Sequence, residues 1–196
     1  SSAASDVYKR QGVDLALFSA GGEVSGMYAP VAVSSGAVVI DNSSRWRMDK
    51  DVPLVVPEIN LADARGKKLV ANPNCSTIQA ALPLWALRDA VPQSVAFTTF
   101  QAVSGTGKRG LDALENARAG RDFKTEEVIS ALKAQEGIVL KDVPLCRDVC
   151  GTDWVAVGRV RKSAADEREL LLYCVADNLL RGAAANAVKI AEGIFS

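Results

Sequence analysis

The segment VDLALFSAGGEV, residues 13–24, joins a short apolar run to a glycine-rich turn and then to a helical stretch. A buried strand that stops at a glycine pair and continues as a helix is a βα unit. The same order recurs at AVVI, residues 37–40, which ends in a polar loop, and at LVA, residues 69–71, which leads into ANPNCST. Three strands that each end in a polar loop predict an open α/β sheet, in which ligands bind at the carboxyl ends of the strands.

The second half of the chain has a different pattern. One strand, one small-residue loop and two amphipathic helices are predicted, at residues 95–100, 101–107, 111–118 and 125–135 in that order. WVAVGRV at 154–160 and LLLYCV at 170–175 alternate or run apolar, so we expect them to pair as antiparallel strands. The Ala-rich tail, 182–194, has apolar residues at helical spacing and is predicted to pack as a final helix.

The composition excludes several classes of function. The chain has 196 residues, 48% of them hydrophobic, and its 23 basic side chains balance 23 acidic ones. That balance gives no electrostatic footprint for nucleic acid or an anionic membrane, and no apolar run approaches the roughly 20 residues of a membrane span. The chain contains no histidine, which excludes Ser-His-Asp and Cys-His pairs, histidine-containing zinc sites and the usual proton shuttle at neutral pH.

Four cysteines lie at positions 75, 146, 150 and 174. A secreted disulfide framework would be denser and more regular, and we see no signal peptide, so the pattern favours a reducing cytoplasm. Cys146 and Cys150 are separated by three residues and have no second pair nearby, so we interpret them as two incidental thiols in a loop. No metal site is predicted.

Cys75 is the cysteine whose surroundings indicate chemistry. It stands between the predicted strand 69–71 and a stretch with helical spacing from Ile78 to Ala90. The partial positive charge at a helix N-terminus stabilises a thiolate, which makes Cys75 a candidate nucleophile. The alternative is a buried core cysteine, which is the commoner role for any one cysteine. The Asn, Pro, Ser and Thr neighbours argue against a core position.

Residues 1–11, SSAASDVYKRQ, carry no apolar periodicity and end where the first strand pattern begins. Residues 6–11 resemble the in-frame translation of a transposon adapter used in sequencing libraries. We therefore interpret 1–11 as a non-native, adapter-like tail and exclude it from the fold. A natural tail is the alternative.

Seven segments resemble, in order along the chain, aspartate-semialdehyde dehydrogenase of the bacterial type. They are FSAGG at 18–22, VVIDNSS at 38–44, RMDKDVPLVVPEIN at 47–60, ANPNCSTIQ at 71–79, FQAVSGTGK at 100–108, VGRVRK at 157–162 and VADNLLRGAAANAVKIAE at 175–192. ANPNCSTIQ and the long C-terminal segment are specific individually, whereas FSAGG or SGTG alone would be weak. The resemblance covers most of residues 12–109 and again 125–195.

The resemblance implies a chemistry. In that family a cysteine thiolate attacks the aldehyde of aspartate semialdehyde, NADP⁺ takes hydride from the adduct, and phosphate cleaves the thioester to give aspartyl phosphate. The biosynthetic direction is the reverse, with NADPH as reductant, and it serves the aspartate family of amino acids, including lysine, methionine and threonine. A homodimer in the cytoplasm is implied as well.

The resemblance also implies roles for eleven residues of this chain. They are Cys75 as nucleophile, Gln101 as the glutamine that orients the substrate, Arg47 and Asn74 as the phosphate-binding pair, and Ser19, Gly21, Gly22, Ser104, Gly105, Gly107 and Asn178 as the lining of the NADP site. Taken one at a time, several have a plainer explanation. Arg47 could be a surface arginine, 104–107 could be only a turn, and Asn178 with the preceding aspartate could be a helix cap.

The implied fold is an incomplete Rossmann-like nucleotide-binding domain with a remnant α+β catalytic and dimerisation domain. We place the partial NADP-binding domain at 12–74, the reduced catalytic domain at 75–175, and at 176–196 a C-terminal helix that returns to the first domain. The family's first βα unit, expected upstream of Gly12, is missing. The family's long middle segment, which carries its substrate-binding arginine and catalytic histidine, is reduced here to a short stretch between Arg109 and Thr125.

These departures leave three hypotheses open. The chain is an NADP-dependent dehydrogenase by descent, or a non-catalytic remnant that serves at most as a subunit-interaction piece, or a different thiol enzyme that reduces another acyl phosphate. ANPNCSTIQ disfavours the third. Because the family's proton-transfer residue has no counterpart, we expect the chain by itself to be inactive.

Overall fold

The computed structural model describes residues 12–90, 92–98, 116–119 and 122–196, with only the backbone given for 116–119. The chain divides into two compact units. The first unit comprises Ser1–Asn74 together with Asn186–Ser196, and the second comprises Cys75–Ala185. The adapter-like interpretation of residues 1–11 concerns positions outside the described part of the chain.

The first unit contains a three-stranded parallel sheet in the order β1-β2-β3. Its elements are β1 (Leu15–Phe18), α1 (Gly22–Ser34), β2 (Val38–Asp41), α2 (Pro57–Asn60), a 3₁₀ turn (Leu61–Ala64), β3 (Leu69–Ala71) and α6 (Ala185–Phe195). Leu54 forms an isolated parallel bridge to Ala71 at the outer edge of β3. The predicted α/β sheet is confirmed, and each strand lies within two residues of its predicted position.

Helices cover the two faces of this sheet. Val39 and Ile40 are adjacent in β2, so their side chains point to opposite faces. Val39 packs with Ala29 and Ala32 of α1. Ile40 packs in a separate cluster. Its other buried members come from the segment before α2, the 3₁₀ turn, β3 and α6: Val55, Ala64, Val70, Ala187, Ile190 and Ala191. Burial on both faces explains why β2 reads as a continuous apolar run rather than an alternating one.

The second unit contains a five-stranded mixed sheet in the order β4-β5-β8-β7-β6. The strands are β4 (Pro92–Ala96), β5 (Asn116–Ala119), β6 (Ile138–Leu140), β7 (Val155–Lys162) and β8 (Glu169–Ala176). The predicted antiparallel pairing of β7 with β8 is confirmed, with Ala156 opposite Val175. Among the described strands of this sheet, β6 and β7 run parallel and the other three neighbouring pairs run antiparallel.

Helices of the second unit pack on the same sheet. α3 (Cys75–Ala86) and α4 (Thr125–Ala134) contact β7, and α5 (Cys146–Val149) contacts β7 and β8. In α4 the buried side chains are Val128 and Leu132, which are four residues apart and therefore share one face of the helix. A π-helical turn, Leu180–Ala184, follows β8 and packs on α3.

Two local predictions are wrong. Residues 116–118 belong to β5 and not to the predicted helix 111–118, of which 111–115 fall outside the described residues. β5 lies between β4 and β8, and pairing on both edges overrides the weak helical preference of these residues. Cys146 is the first residue of the short helix α5 rather than part of a loop, whereas Cys150 lies in the turn that follows the helix.

The described part of the chain has neither a membrane-spanning candidate nor a metal-binding cluster. Among residues 12–90, 92–98, 116–119 and 122–196, no helix is both long and apolar enough to cross a bilayer. Within the same residues, no three His, Cys, Asp or Glu side chains come together in a way that could hold a metal ion.

Candidate active site

Cys75 is the first residue of α3, three residues earlier than the predicted start of that helix. Its thiol is not in a disulfide, and the residue is half-buried. The other three cysteines are also free thiols; Cys146 and Cys150 are exposed and Cys174 is half-buried. The thiol of Cys75 therefore lies in the first turn of a helix, where the helix dipole favours negative charge.

Gly182 brings the turn after β8 against Cys75. A Cβ atom on Gly182 would lie 2.8 Å from the Cβ of Cys75 and 3.1 Å from Oδ1 of Asn178. Cβ atoms in proteins essentially never lie 2.8 Å from another such atom, so a side chain at position 182 would force the turn or the start of α3 to shift. Two of the predicted site residues, Cys75 and Asn178, therefore both lie next to Gly182 in the second unit. The sequence analysis did not single out Gly182.

The π-helical turn that carries Gly182 is held at its start by Asp177. The Asp177 carboxylate accepts hydrogen bonds from the backbone N–H groups of Leu179 and Leu180, at 2.9 and 3.0 Å, and from the N–H of Gly151 at 3.0 Å. The bond from Gly151 is the main reason that the pKa of Asp177 lies below its ordinary value of 3.8; the Leu180 bond acts in the same direction. Asp177 therefore caps this turn, as the alternative reading of the sequence allowed.

Arg47 lies in the loop after β2 and is anchored by backbone carbonyls. Its Nε donates to the carbonyl oxygen of Asn72 at 3.0 Å, and its Nη2 donates to the carbonyl oxygen of Asn42 at 2.9 Å. These bonds attach the guanidinium to the carboxyl ends of β2 and β3, where the open-sheet rule places ligands. Arg47 is half-buried and hydrogen-bonded in the first unit, so it is not a simple surface arginine.

Asn72 continues this network into the protein interior. Its Nδ2 donates to Oδ1 of Asn42 at 2.8 Å, and its Oδ1 accepts from Nδ2 of Asn186 at 2.7 Å. Asn186 is fully buried near the start of α6 and also donates to the carbonyl oxygen of Val55 at 3.0 Å. Asn74 lies two residues after Asn72 and is exposed.

The junction of β1 and α1 carries the predicted residues Ser19, Gly21 and Gly22. Gly21 has φ 94°, and no side chain caps the first turn of α1. A Cβ on Gly21 would meet nothing within 4 Å, so the glycine is needed for its backbone conformation and leaves open space beside the helix start. Uncapped N–H groups and open space fit the close approach of a nucleotide's phosphate or ribose oxygens to this junction.

The seven predicted site residues that the structure describes fall into three groups. Cys75 and Asn178 meet at Gly182 in the second unit, and Arg47 lies beside the segment that contains Asn74 in the first unit. Ser19, Gly21 and Gly22 occur together at the β1–α1 junction. Gln101, Ser104, Gly105 and Gly107 lie outside the described residues, so their roles stay predictions.

Sequence reasoning missed Gly182 and Asn186, although both left a signal. Gly182 interrupts an otherwise Ala-rich helical tail, where glycine weakens a helix unless close packing requires it. Asn186 is four residues before Ile190 and so shares its apolar face. A polar residue on an apolar helix face indicates a buried hydrogen-bonding partner.

Comparison with known proteins identifies the family of this chain. Residues 3–67 match the family described as "Semialdehyde dehydrogenase, NAD binding domain", and residues 116–181 match "Semialdehyde dehydrogenase, dimerisation domain". The chain is 34% identical to aspartate-semialdehyde dehydrogenase 2 of Vibrio cholerae, over 92% of this chain and 78% of that protein. The chain belongs to the aspartate-semialdehyde dehydrogenase family.

Other members of this family are similar to the chain in sequence and in structure. Aspartate-semialdehyde dehydrogenase of Aquifex aeolicus is 32% identical over 93% of this chain and 79% of its own length. A crystal structure of the Vibrio cholerae enzyme II matches with a TM-score of 0.85 at 30% identity, covering 95% of this chain and 80% of that one. The alignment with the Vibrio cholerae sequence extends over 264 positions, which exceeds the 196 residues of this chain. That aspartate-semialdehyde dehydrogenase therefore carries internal residues that this chain lacks.

Proposed function

We propose that Cys75 is the acyl-accepting thiol of an NADP-dependent aspartate-semialdehyde dehydrogenase reaction. The observation that carries this proposal is the position of Cys75 in the first turn of α3, with Gly182 and Asn178 beside it. Family membership supports it, as does the description of the Vibrio cholerae structure as complexed with ASA. Aspartate-family amino-acid biosynthesis is the corresponding pathway.

The chemistry proposed for Cys75 is a thiol addition followed by acyl transfer. Sγ attacks the aldehyde carbon of aspartate semialdehyde, so that a C–S bond forms and the carbonyl oxygen becomes a hydroxyl. Loss of hydride from that carbon, together with loss of the hydroxyl proton, re-forms the C=O bond and leaves a thioester on Cys75. A phosphate oxygen then attacks the thioester, the C–S bond breaks, and aspartyl phosphate leaves with the thiolate restored. The biosynthetic direction runs through the same steps in reverse.

The other predicted residues have supporting roles in this proposal. NADP⁺, when bound, supplies the hydride acceptor, and the β1–α1 junction with Ser19, Gly21 and Gly22 would hold part of it. Asn178, which lies beside Cys75, is assigned by the resemblance to the lining of the NADP site. Arg47 and Asn74 would hold phosphate, for which the planar guanidinium is suited because it can bond two oxygens at once. Gln101 would orient the substrate, and Ser104, Gly105 and Gly107 would complete the NADP site.

Acyl transfer to the thiol can be tested apart from hydride transfer. The full chain is incubated with acetyl phosphate as a simple acyl phosphate, digested, and mapped for thioester by mass spectrometry. We expect acetylation at Cys75, its loss in Cys75→Ala and its persistence in the matched variant Cys150→Ala. Equal acetylation of Cys146 and Cys150 would contradict the assignment, since those thiols are the more exposed ones.

A second candidate, a non-catalytic remnant of the same enzyme, is favoured by the absence of histidine from the chain. A positioned acid or base commonly contributes about 100- to 10,000-fold in rate, and the alignment shows that family residues are missing internally. We therefore propose that this chain alone forms the thioester but does not complete turnover. The assay is NADPH formation from aspartate semialdehyde, phosphate and NADP⁺. A Cys75-dependent rate in the ordinary enzyme range would overturn the second candidate.

Two further properties accompany the proposal. We propose a homodimer, supported by the match of residues 116–181 to a dimerisation domain, in a reducing cytoplasm that keeps Cys75 as a thiol.

A further inference from the structure

The polar network that begins at Asn186 ends at Arg47. Asn186 is fully buried on the apolar face of α6, in line with Ile190 and beside Ala187. Its Nδ2 donates both to Oδ1 of Asn72, at 2.7 Å, and to the carbonyl oxygen of Val55, at 3.0 Å. All of these atoms belong to the first unit.

The direction of the hydrogen bonds fixes the amide of Asn72. An amide has one acceptor oxygen and one NH₂ donor. Because Nδ2 of Asn186 occupies Oδ1 of Asn72, the NH₂ of Asn72 faces Asn42 and donates to its Oδ1 at 2.8 Å. Without the donor at position 186, the Asn72 amide would lose the contact that selects this orientation.

The same two residues supply the carbonyl oxygens that hold Arg47. Nε of Arg47 donates to the carbonyl of Asn72, and Nη2 donates to the carbonyl of Asn42. The side-chain bond between Asn72 and Asn42 therefore ties together the two peptide groups that accept the guanidinium. A change in that bond would alter the spacing of both acceptors.

Packing alone gives no reason for an asparagine at position 186. Its Oδ1 is buried and has no hydrogen-bond partner, and an unsatisfied buried acceptor destabilises a fold. The neighbouring positions of the same cluster are apolar, and leucine has a similar volume. What asparagine adds is the pair of N–H donors that reach Val55 and Asn72.

We propose that Asn186 is a positioning residue that acts through Asn72 to set the orientation of the Arg47 guanidinium. The geometric part of this proposal concerns only the first unit. Its consequence for phosphate rests on the function proposed above for Arg47. The two parts are tested by separate measurements on the full chain.

The geometric part is tested by NMR exchange of the Arg47 Nε–H proton with water. In Asn186→Leu we expect exchange about 10-fold faster, the factor that one lost hydrogen bond commonly carries. Asn42→Ala, which breaks the other end of the network at a half-buried position, should do the same if Asn186→Leu fails to fold. The matched control is Ile190→Ala, which opens the same helix face without touching the network. In the Ile190→Ala variant, exchange of the Arg47 Nε–H proton should change less than about 2-fold under folding conditions.

The outcomes separate the two proposals. Equal exchange in wild type, Asn186→Leu and Asn42→Ala would overturn the positioning role, as would equal acceleration in Asn186→Leu and Ile190→Ala. Titration with inorganic phosphate, followed by ³¹P NMR, tests the consequence: we expect affinity about 10-fold weaker in Asn186→Leu. If exchange accelerates as expected but Arg47→Ala binds phosphate as wild type does, the positioning role stands and the phosphate role of Arg47 is wrong.

Discussion

Arg47 in the first unit and Cys75 in the second unit are held in place by different means. Around Arg47, amide and guanidinium groups are joined by hydrogen bonds of 2.7 to 3.0 Å that continue to the buried Asn186. Around Cys75, the decisive feature is the missing side chain of Gly182. The network around Arg47 should be disrupted when a hydrogen-bond donor is removed. The contact at Cys75 should be disrupted when a Cβ atom is added to Gly182. This contrast can be tested with single substitutions.

The largest effect is expected from Asn72→Ala. The substitution leaves Nδ2 of Asn186 and Oδ1 of Asn42 without the partner they now have, and it removes a fully buried side chain. Each buried group left unsatisfied costs about 1–3 kcal/mol, so we expect the free energy of unfolding to fall by about 3 kcal/mol. Urea denaturation followed by circular dichroism measures it.

Asn60→Ala is the matched control for that substitution. The Asn60 side chain takes part in three hydrogen bonds, with Val56, Leu54 and Asp63, against the two described above for the Asn72 side chain. Asn60 is only half-buried, so water can replace these partners. We expect a loss of about 1 kcal/mol or less. Similar losses of free energy of unfolding in Asn72→Ala and Asn60→Ala would show that burial does not increase the stabilisation by the Asn72 hydrogen bonds.

The next largest effect is expected from Gly182→Ala. The new Cβ would lie 2.8 Å from the Cβ and 3.3 Å from the Cα of Cys75, so the turn or the start of α3 must shift. Overpacking commonly costs about 1–3 kcal/mol, and alanine returns up to about 1 kcal/mol in helix propensity. A net loss of about 1–2 kcal/mol in urea denaturation is expected, with weaker acetylation of Cys75.

Gly22→Ala makes the same chemical change where there is room for it. A Cβ on Gly22 would lie 3.7 Å from the Cβ of Arg45, an ordinary van der Waals distance. We expect no loss of stability, because alanine favours the helix at this position. If Gly22→Ala and Gly182→Ala are equally destabilising, close approach is not what position 182 requires.

A smaller and pH-dependent effect is expected from Asp177→Ala. The N–H groups of Gly151, Leu179 and Leu180 lower the pKa of Asp177, so the carboxylate stabilises the fold at pH values above its ordinary pKa of 3.8. That contribution is lost as the pH falls through the lowered pKa. At neutral pH the substitution should cost about 1 kcal/mol, as a lost cap does. The difference in the free energy of unfolding between variant and wild type, measured by urea denaturation, should shrink as the pH falls below 3.8. A difference independent of pH would contradict this account.

The last prediction compares thiol reactivities rather than stability. Under competitive alkylation at limiting reagent, we expect Cys75 to label faster than the more exposed Cys146 and Cys150, because it alone lies at the start of a long helix. Mass mapping of the digested, folded chain gives the relative rates. Labelling that simply follows exposure would show that the helix start does not activate the thiol.

Part of the fold could be predicted from the sequence because β2 and the first half of β7 are buried on both faces. Val38–Asp41 and Val155–Lys162 contain uninterrupted apolar runs that end at polar residues, and such runs indicate strands whatever surrounds them. Residues 116–119, NARA, contain no such run. Their strand conformation is imposed by β4 and β8 on either side, and a single sequence does not reveal those neighbours.

The candidate site was predictable only where the chemistry is local. Cys75 could be proposed because the residues beside it in the chain are polar and a helix follows. The contact of Gly182 with Cys75, and the bond of Asn186 to Asn72, join residues more than 100 positions apart in the chain. Their presence was signalled by an unusual residue type in a helix, but their partners could be identified only from the structure.

The first unit is formed by two segments that are far apart in the chain, and this has a consequence for the folding of the chain during translation. Its sheet is made near the beginning of the chain, but Ala187, Ile190 and Ala191, which cover one face of it, lie near the end. During translation the exposed face must wait for the whole second unit to emerge, because N-terminal segments appear first. A stalled nascent chain that lacks α6 would present an open apolar sheet face to chaperones and proteases. We therefore expect chaperones and proteases to act on this face until α6 has emerged and packed on it.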